Sequence, residues 1–224
     1  MNKIKMLNLI PFFDSIDSER YCVVKLSEGF PTYSPGDDID IFCYEPDRIA
    51  KKILEWANQH IKKDLEIKVI SQAEYNHVTI DFMDGRAIHL RFDIYGQLPL
   101  YKKVLIKPAL FENIIDHSQP VCKKIDNINF CVNIPDLIDD MLLRYIEFIE
   151  WYNIRPDKIK HLDYIMDKID DEKKIRFLNK LHHYTAIPVY QDLQDSKLKP
   201  PKRGLSFLKI LKRYRADRKQ VHKG

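Results

Sequence analysis

The stretch Gly36-Asp-Asp-Ile-Asp-Ile-Phe-Cys43 places three aspartates within four positions and then runs straight into apolar residues. Strand side chains alternate between faces, so Asp38 and Asp40 share one face while Ile39 and Ile41 share the other. The apolar pair can bury against a helix. The carboxylates repel one another and avoid cores, so two of them on one face at a strand's mouth require a cation. The chain is therefore expected to build a sheet with one apolar face and a set of carboxylates at one end.

The flanking pattern supplies that sheet. Residues 21–26 (YCVVKL) form a β-rich run, followed by a Gly- and Pro-bearing loop and a strand over 38–45. Residues 45–63 carry Ile49, Ile53, Leu54, Ala57 and Ile61 at helical spacing, with Pro46 suited to a first turn. Three more strand-like runs cover 66–70, 77–83 and 87–96, the last two joined by a hairpin turn at Asp84-Gly85. This is an α+β pattern with a mixed sheet, the expected nucleus of a first domain over residues 1–100.

After Pro99 the pattern becomes mainly helical. A short helix over KPALFENII precedes a small hairpin around Asp126-Asn127. An amphipathic helix over 134–154 and two further helices over about 157–169 and 171–184 follow. Residues 101–195 are expected to form a mainly helical accessory domain. A short amphipathic helix is also expected over 3–13. No internal repeat is evident.

Net charge hides an asymmetry. Residues 196–224 hold eleven Lys or Arg against Asp217, leaving 26 basic and 32 acidic residues in the first 195. An acidic body thus carries a basic tail, set off by Pro200-Pro201. Within the tail, Leu205, Phe207, Leu208, Ile210 and Leu211 form an apolar stripe flanked by cations. A basic amphipathic helix of this kind suits peripheral contact with an anionic membrane or docking on the acidic body. No apolar run approaches the ~18 residues of a membrane span. The start, MNKIKMLNLIPFFDS, lacks a signal-peptide cleavage pattern and reads as cytoplasmic. Cys22, Cys43, Cys122 and Cys131 show no CxxC spacing; three of the four lie in apolar, strand-like runs, where a free cysteine acts as a small hydrophobe.

The chemistry concentrates on carboxylates. Asp93, in LRFDIYG, has apolar neighbours and shares a strand face with His89 and Arg91. Asp38, Asp40 and Asp93 are the candidate catalytic and metal-ligating residues, with Mg²⁺ or Mn²⁺ as the cofactor, because hard divalent ions favour carboxylates and substrate phosphates. A third carboxylate beside a two-metal site can hold the second ion and help deprotonate an attacking hydroxyl. Lys25, read on the first strand on the same face as Tyr21 and Val23, is placed to aim at phosphates. Arg91 can neutralise a phosphate or pair with Asp38 or Asp40. Arg155, Lys158, Lys160 and His161, close together at a helix start, read as a solvated helix face ahead of a contact for a phosphorylated substrate, and His182-His183 as a helix-end pair without chemistry.

The order strand, Gly-bearing loop, GDDIDIFC, helix, then RFDIYG resembles the nucleotidyltransferase superfamily of DNA polymerase β type over roughly residues 20–96. The resemblance implies that Asp38, Asp40 and Asp93 bind two divalent ions. The family's Gly-Gly or Gly-Ser pair, which cradles the nucleotide phosphates, corresponds here to Ser27-Glu28-Gly29 with a shorter run to the aspartates. Ser27 and Gly29 are accordingly the candidate nucleotide contacts beside Lys25 and Arg91. The pattern looks most like divergent members from bacterial surface-polysaccharide gene clusters. It implies transfer of a nucleotidyl group from a nucleoside triphosphate to a small-molecule or glycan-related acceptor, in the cytoplasm or at the inner face of the membrane. The alternatives are an inactive nucleotidyltransferase-fold binding module and a toxin or antibiotic-modifying enzyme. Nucleic acid is disfavoured as a partner, because the acidic body offers no basic, aromatic track.

Overall fold

The computed structural model describes residues 7–27, 29–61, 65–125 and 128–186. The basic tail expected over 196–224 lies outside the described residues. The chain divides into two compact units, one of residues 1–99 and 111–136, the other of residues 100–110 and 137–224.

The first unit is built on a mixed five-stranded sheet. Its strands are β1 (Tyr21–Val24), β2 (Asp37–Cys43), β3 (Glu66–Gln72), β4 (His77–Asp84) and β5 (Ala87–Tyr95), in the order β1-β2-β5-β4-β3. Only β2 and β5 run parallel; the other pairs are antiparallel. The hairpin turn falls one residue later than expected, since Asp84 still pairs with Ala87 and the loop is Gly85-Arg86. Gly85 takes φ +59°, which the first loop position of such a tight hairpin demands.

Alternation along the strands separates two faces. Ile39, Ile41, Ile80, Phe82, Leu90, Phe92 and Ile94 are buried on the apolar side. Helices α1 (Ile10–Ser15) and α2 (Pro46–His60) supply the opposing layer. Phe12 meets Phe92 edge-on at 5.4 Å between ring centroids, and Trp56 meets Phe82 at 5.9 Å. Each such fully buried side chain contributes roughly 1.5–3 kcal/mol, which holds the sheet's register against a one-residue slip. Such a slip would drive the aspartates into this core. Helix α1 covers Ile10–Ser15, starting later than the expected 3–13 helix and running past its end; residues 1–6 are outside the description.

Three further elements complete this unit. Helix α3 covers Ala109–Asp116, its residues from Phe111 onward belonging here; the hairpin strands are β6 (Gln119–Ile125) and β7 (Ile128–Ile134). Cys122 lies directly opposite Cys131 in this hairpin, and the two form a disulfide. The reading of cysteines as small free hydrophobes therefore holds for buried Cys22 and Cys43 but fails for Cys131. Burial pushes the Cys43 thiol up to about 12.

The second unit is helical, with α4 (Leu137–Trp151), α5 (Ile159–Lys168) and α6 (Asp171–Tyr184). Tyr145 and Phe177 meet edge-on at 5.7 Å, among buried Met141, Leu142, Ile146, Ile165 and Leu181. Asp170 caps α6 by accepting from the Lys173 backbone N–H. The segment read as a solvated basic face is partly interior: His161 is 4% exposed, and Lys158 pairs with Glu147 at 2.9 Å. Among the described residues no helix is long and apolar enough to cross a membrane.

Candidate metal centre

The opening aspartates have different fates. Asp37 accepts from the Ser34 backbone N–H at 2.6 Å, while its own N–H donates to Ser34 O at 2.9 Å. Gly36, inside this turn, has φ +94°, a conformation that suits glycine, and donates to His89 O. Asp37 therefore closes the turn that launches β2, and Asp38 and Asp40 project from the strand itself.

Strand pairing then assembles the site. Asp40 lies opposite Asp93 across the parallel β2–β5 ladder, and Asp93 lies opposite Thr79 across β4–β5. One residue pair away along the same face, Asp38 lies opposite Arg91 and Arg91 opposite Asp81. Asp38, Asp40 and Asp93 bring one carboxylate oxygen each to within 4.8 Å of one another. Asp38 is exposed, and Asp40 and Asp93 are half-buried. Three hard oxygen donors at this spacing fit a divalent cation such as Mg²⁺ or Mn²⁺.

The cations near the triad do not silence it. Lys25 Nζ lies 2.5 Å from Asp40 Oδ2. The sequence reading put Lys25 on the strand, on the face of Tyr21 and Val23, which is the core face. Instead β1 ends at Val24, and Lys25 adopts φ +55°, breaking the alternation and turning its ammonium to the carboxylates. Arg91 pairs with neither Asp38 nor Asp40. Its guanidinium forms a two-pronged pair with buried Asp81, at 2.6 and 2.9 Å. That contact raises Arg91's pKa against the opposing effect of burial, with Asp93 and Asp38 adding to the rise. Asp81 is thus neutralised by a partner it requires at that depth.

Around these groups the face is finished by polar residues that sequence reasoning missed. Thr79 Oγ1 donates to Asp93 Oδ1 at 2.9 Å, and His77 Nε2 lies 3.1 Å from the same oxygen. The alternating polar positions of HVTID were visible in the sequence; which strand they would face was not. Farther along, buried His89 meets the Tyr33 hydroxyl at 3.0 Å, and burial lowers its pKa. Ser27 and Gly29 are exposed in the loop after β1, where their carbonyls accept from the Phe30 and Thr32 backbone N–H groups. Among the described residues neither makes a hydrogen bond or ion pair with the triad.

No family model and no curated protein matches the sequence. Among solved structures, an antigenic nucleotidyltransferase-like protein from Paracoccidioides brasiliensis is similar over 86% of this chain and 92% of its own, at 12% identity and a TM-score of 0.37. A candidate nucleotidyltransferase from H. pylori is similar over 77% of each chain, at 11% identity and a TM-score of 0.31. At this level of similarity neither alignment bears on which residues act.

Proposed function

We propose that the chain is a metal-dependent nucleotidyltransferase, acting from a nucleoside triphosphate on a small-molecule or glycan-related acceptor. The observation that supports this most is the convergence of Asp38, Asp40 and Asp93 within 4.8 Å on a face that is not fully neutralised. Among the described residues, four carboxylates, counting Asp81, are met by Lys25, Arg91 and the His77 ring.

Asp38, Asp40 and Asp93 would hold the metal, which when bound neutralises charge on the transferring phosphoryl oxygens. In the reaction an acceptor hydroxyl oxygen bonds to the α-phosphorus, the bond to pyrophosphate breaks, and the hydroxyl proton passes to a carboxylate. Asp93 is the base assigned to that proton. Lys25 contributes an ammonium that can meet a phosphate oxygen at the cluster's edge, and Ser27 and Gly29 offer a loop for the triphosphate. A role in surface-polysaccharide synthesis, at the cytoplasmic face of the membrane through residues 196–224, rests on the sequence reading alone. Salt-sensitive co-sedimentation with anionic liposomes, lost in a chain ending at residue 195, is its expected signature.

A second reading, a nucleotide-binding module without turnover, is favoured by one observation: Lys25 already pairs with Asp40, beside a loop lacking the Gly-Gly or Gly-Ser pair. Pyrophosphate release from each of the four nucleoside triphosphates with Mn²⁺ and an acceptor panel separates the two. Turnover that falls to background in Asp40→Ala supports the enzyme. Calorimetric nucleotide binding without release supports the module, and an active Asp40→Ala protein contradicts the site.

A further inference from the structure

Asp93 differs from its two partners in how it is held. Asp38 is exposed at the mouth of β2, and Asp40 meets the Lys25 ammonium. Asp93 is gripped from behind on a single oxygen. Thr79 Oγ1 and His77 Nε2 both address Oδ1, at 2.9 and 3.1 Å, and the two donors are 3.4 Å apart. Among the described residues, Oδ2 has no hydrogen bond or ion pair.

The two donors are themselves fixed. Thr79 is 8% exposed and stands directly opposite Asp93 in the β4–β5 ladder, so the register puts its side chain beside that carboxylate. The His77 ring lies flat on Tyr95, with centroids 4.3 Å apart and planes 1° from parallel. Tyr95 is opposite His77 in the same ladder. His77 Nδ1 lies 3.4 Å from the atom placed as Gln72 Oε1, at the end of β3. With the imidazole proton on Nε2, the amide can present its NH₂ to Nδ1, a flip that heavy-atom positions leave open. Three strands thus define the plane of one carboxylate.

We propose that Thr79 and His77 are positioning residues that turn Asp93 Oδ2 toward the divalent ion. This rests on the metal-centre reading above. Hydrogen bonds on one oxygen of a ligating carboxylate fix its orientation and its basicity, and removing them typically weakens metal affinity about 10- to 100-fold. Neither residue need touch metal or substrate. Their effect is expected on affinity for the ion, with the sheet retained.

The test is Mn²⁺ binding to the full chain without nucleotide, followed by electron paramagnetic resonance of free ion and by calorimetry. Thr79→Val removes the hydroxyl at nearly constant volume, and His77→Phe keeps an aromatic ring against Tyr95 while removing the nitrogen. Each is expected to weaken Mn²⁺ about 10-fold, and Thr79→Ser to stay within about 2-fold of the parent. Melting temperature is read alongside, so that loss of fold is not mistaken for loss of affinity; should Thr79→Val fail to fold, the His77→Phe and Thr79→Ser pair decides. Asp93→Ala is the control for the underlying site. If Asp93→Ala loses Mn²⁺ while folded His77→Phe and Thr79→Val bind like the parent, the positioning role is overturned and the metal centre stands. If Asp93→Ala binds Mn²⁺ unchanged, the metal centre falls and this proposal with it.

Discussion

The sheet face of the first unit and the helical interior of the second both collect acids, but on different terms. In the helical unit the acids are partnered: Asp139 with Lys180 at 2.6 Å, Asp140 with Arg144 at 2.9 Å, half-buried Glu147 with Lys158 at 2.9 Å, while buried Glu150 accepts from the Lys102 and Lys103 backbone N–H groups at 3.1 and 2.8 Å. Asp139 has no exposure at all, and desolvation without a partner would be prohibitive. On the sheet face, among the described residues, Asp81 pairs with Arg91 and Asp40 with Lys25. Asp38 is left exposed, and Asp93 accepts from the Thr79 hydroxyl and lies 3.1 Å from His77 Nε2. Paired burial marks acids that serve the fold; acids crowded at an edge with charge to spare mark a place for something else.

Breaking the pairing in the helical unit should have the largest effect on stability. Lys180→Met leaves the Asp139 carboxylate buried without its cation and is expected to cost about 3 kcal/mol, read as a lower urea midpoint. A loss below about 0.5 kcal/mol would show that Asp139 is served by other groups and would erase the contrast.

Acid should expose the same distinction more gently. Burial lowers the pKa of His161, with Glu147 opposing, and burial also lowers that of His89 in the first unit. A folded-state pKa below the unfolded value of about 6.5 means that the fold disfavours the extra proton. Its contribution to stability is therefore complete above about pH 6.5 and is lost as pH falls through the folded value. Urea midpoints are expected to drop between pH 7.5 and pH 5, with a shallower slope in His161→Gln. An unchanged slope in that variant would assign the acid sensitivity elsewhere.

The smallest effect belongs to the sheet face. Asp38→Ala should shift metal-free stability by no more than about 0.5 kcal/mol, with the sign toward stabilisation, since it removes one of several crowded carboxylates. Strong destabilisation would make Asp38 a structural residue like Asp139.

Much of this was readable from residues that repeat with the period of their own element. The two-residue alternation of Asp38, Ile39, Asp40 and Ile41 gave both faces of β2, and Pro46 with its helical stripe gave α2. Neighbour identity was less accessible, because strand order and register depend on contacts distant in sequence. That is why the Thr79 and His77 grip on Asp93, the Arg91–Asp81 pair and the Cys122–Cys131 bond did not emerge. Lys25 was misplaced for a local reason: a single positive φ, at a residue with no propensity for it, reverses the face a side chain occupies. His161 was misjudged because a basic stretch beside a helix start gives no sign of which residue turns inward.

The central claim is that Asp38, Asp40 and Asp93 jointly hold a divalent ion. Crystals soaked in Mn²⁺ with a nucleoside triphosphate, measured at the manganese absorption edge, test it most directly. The account predicts an anomalous peak ~2.0–2.3 Å from a carboxylate oxygen of all three aspartates, absent from Asp40→Ala crystals. A peak bound only by Asp38, or manganese elsewhere with Lys25 still seated on Asp40, would contradict it.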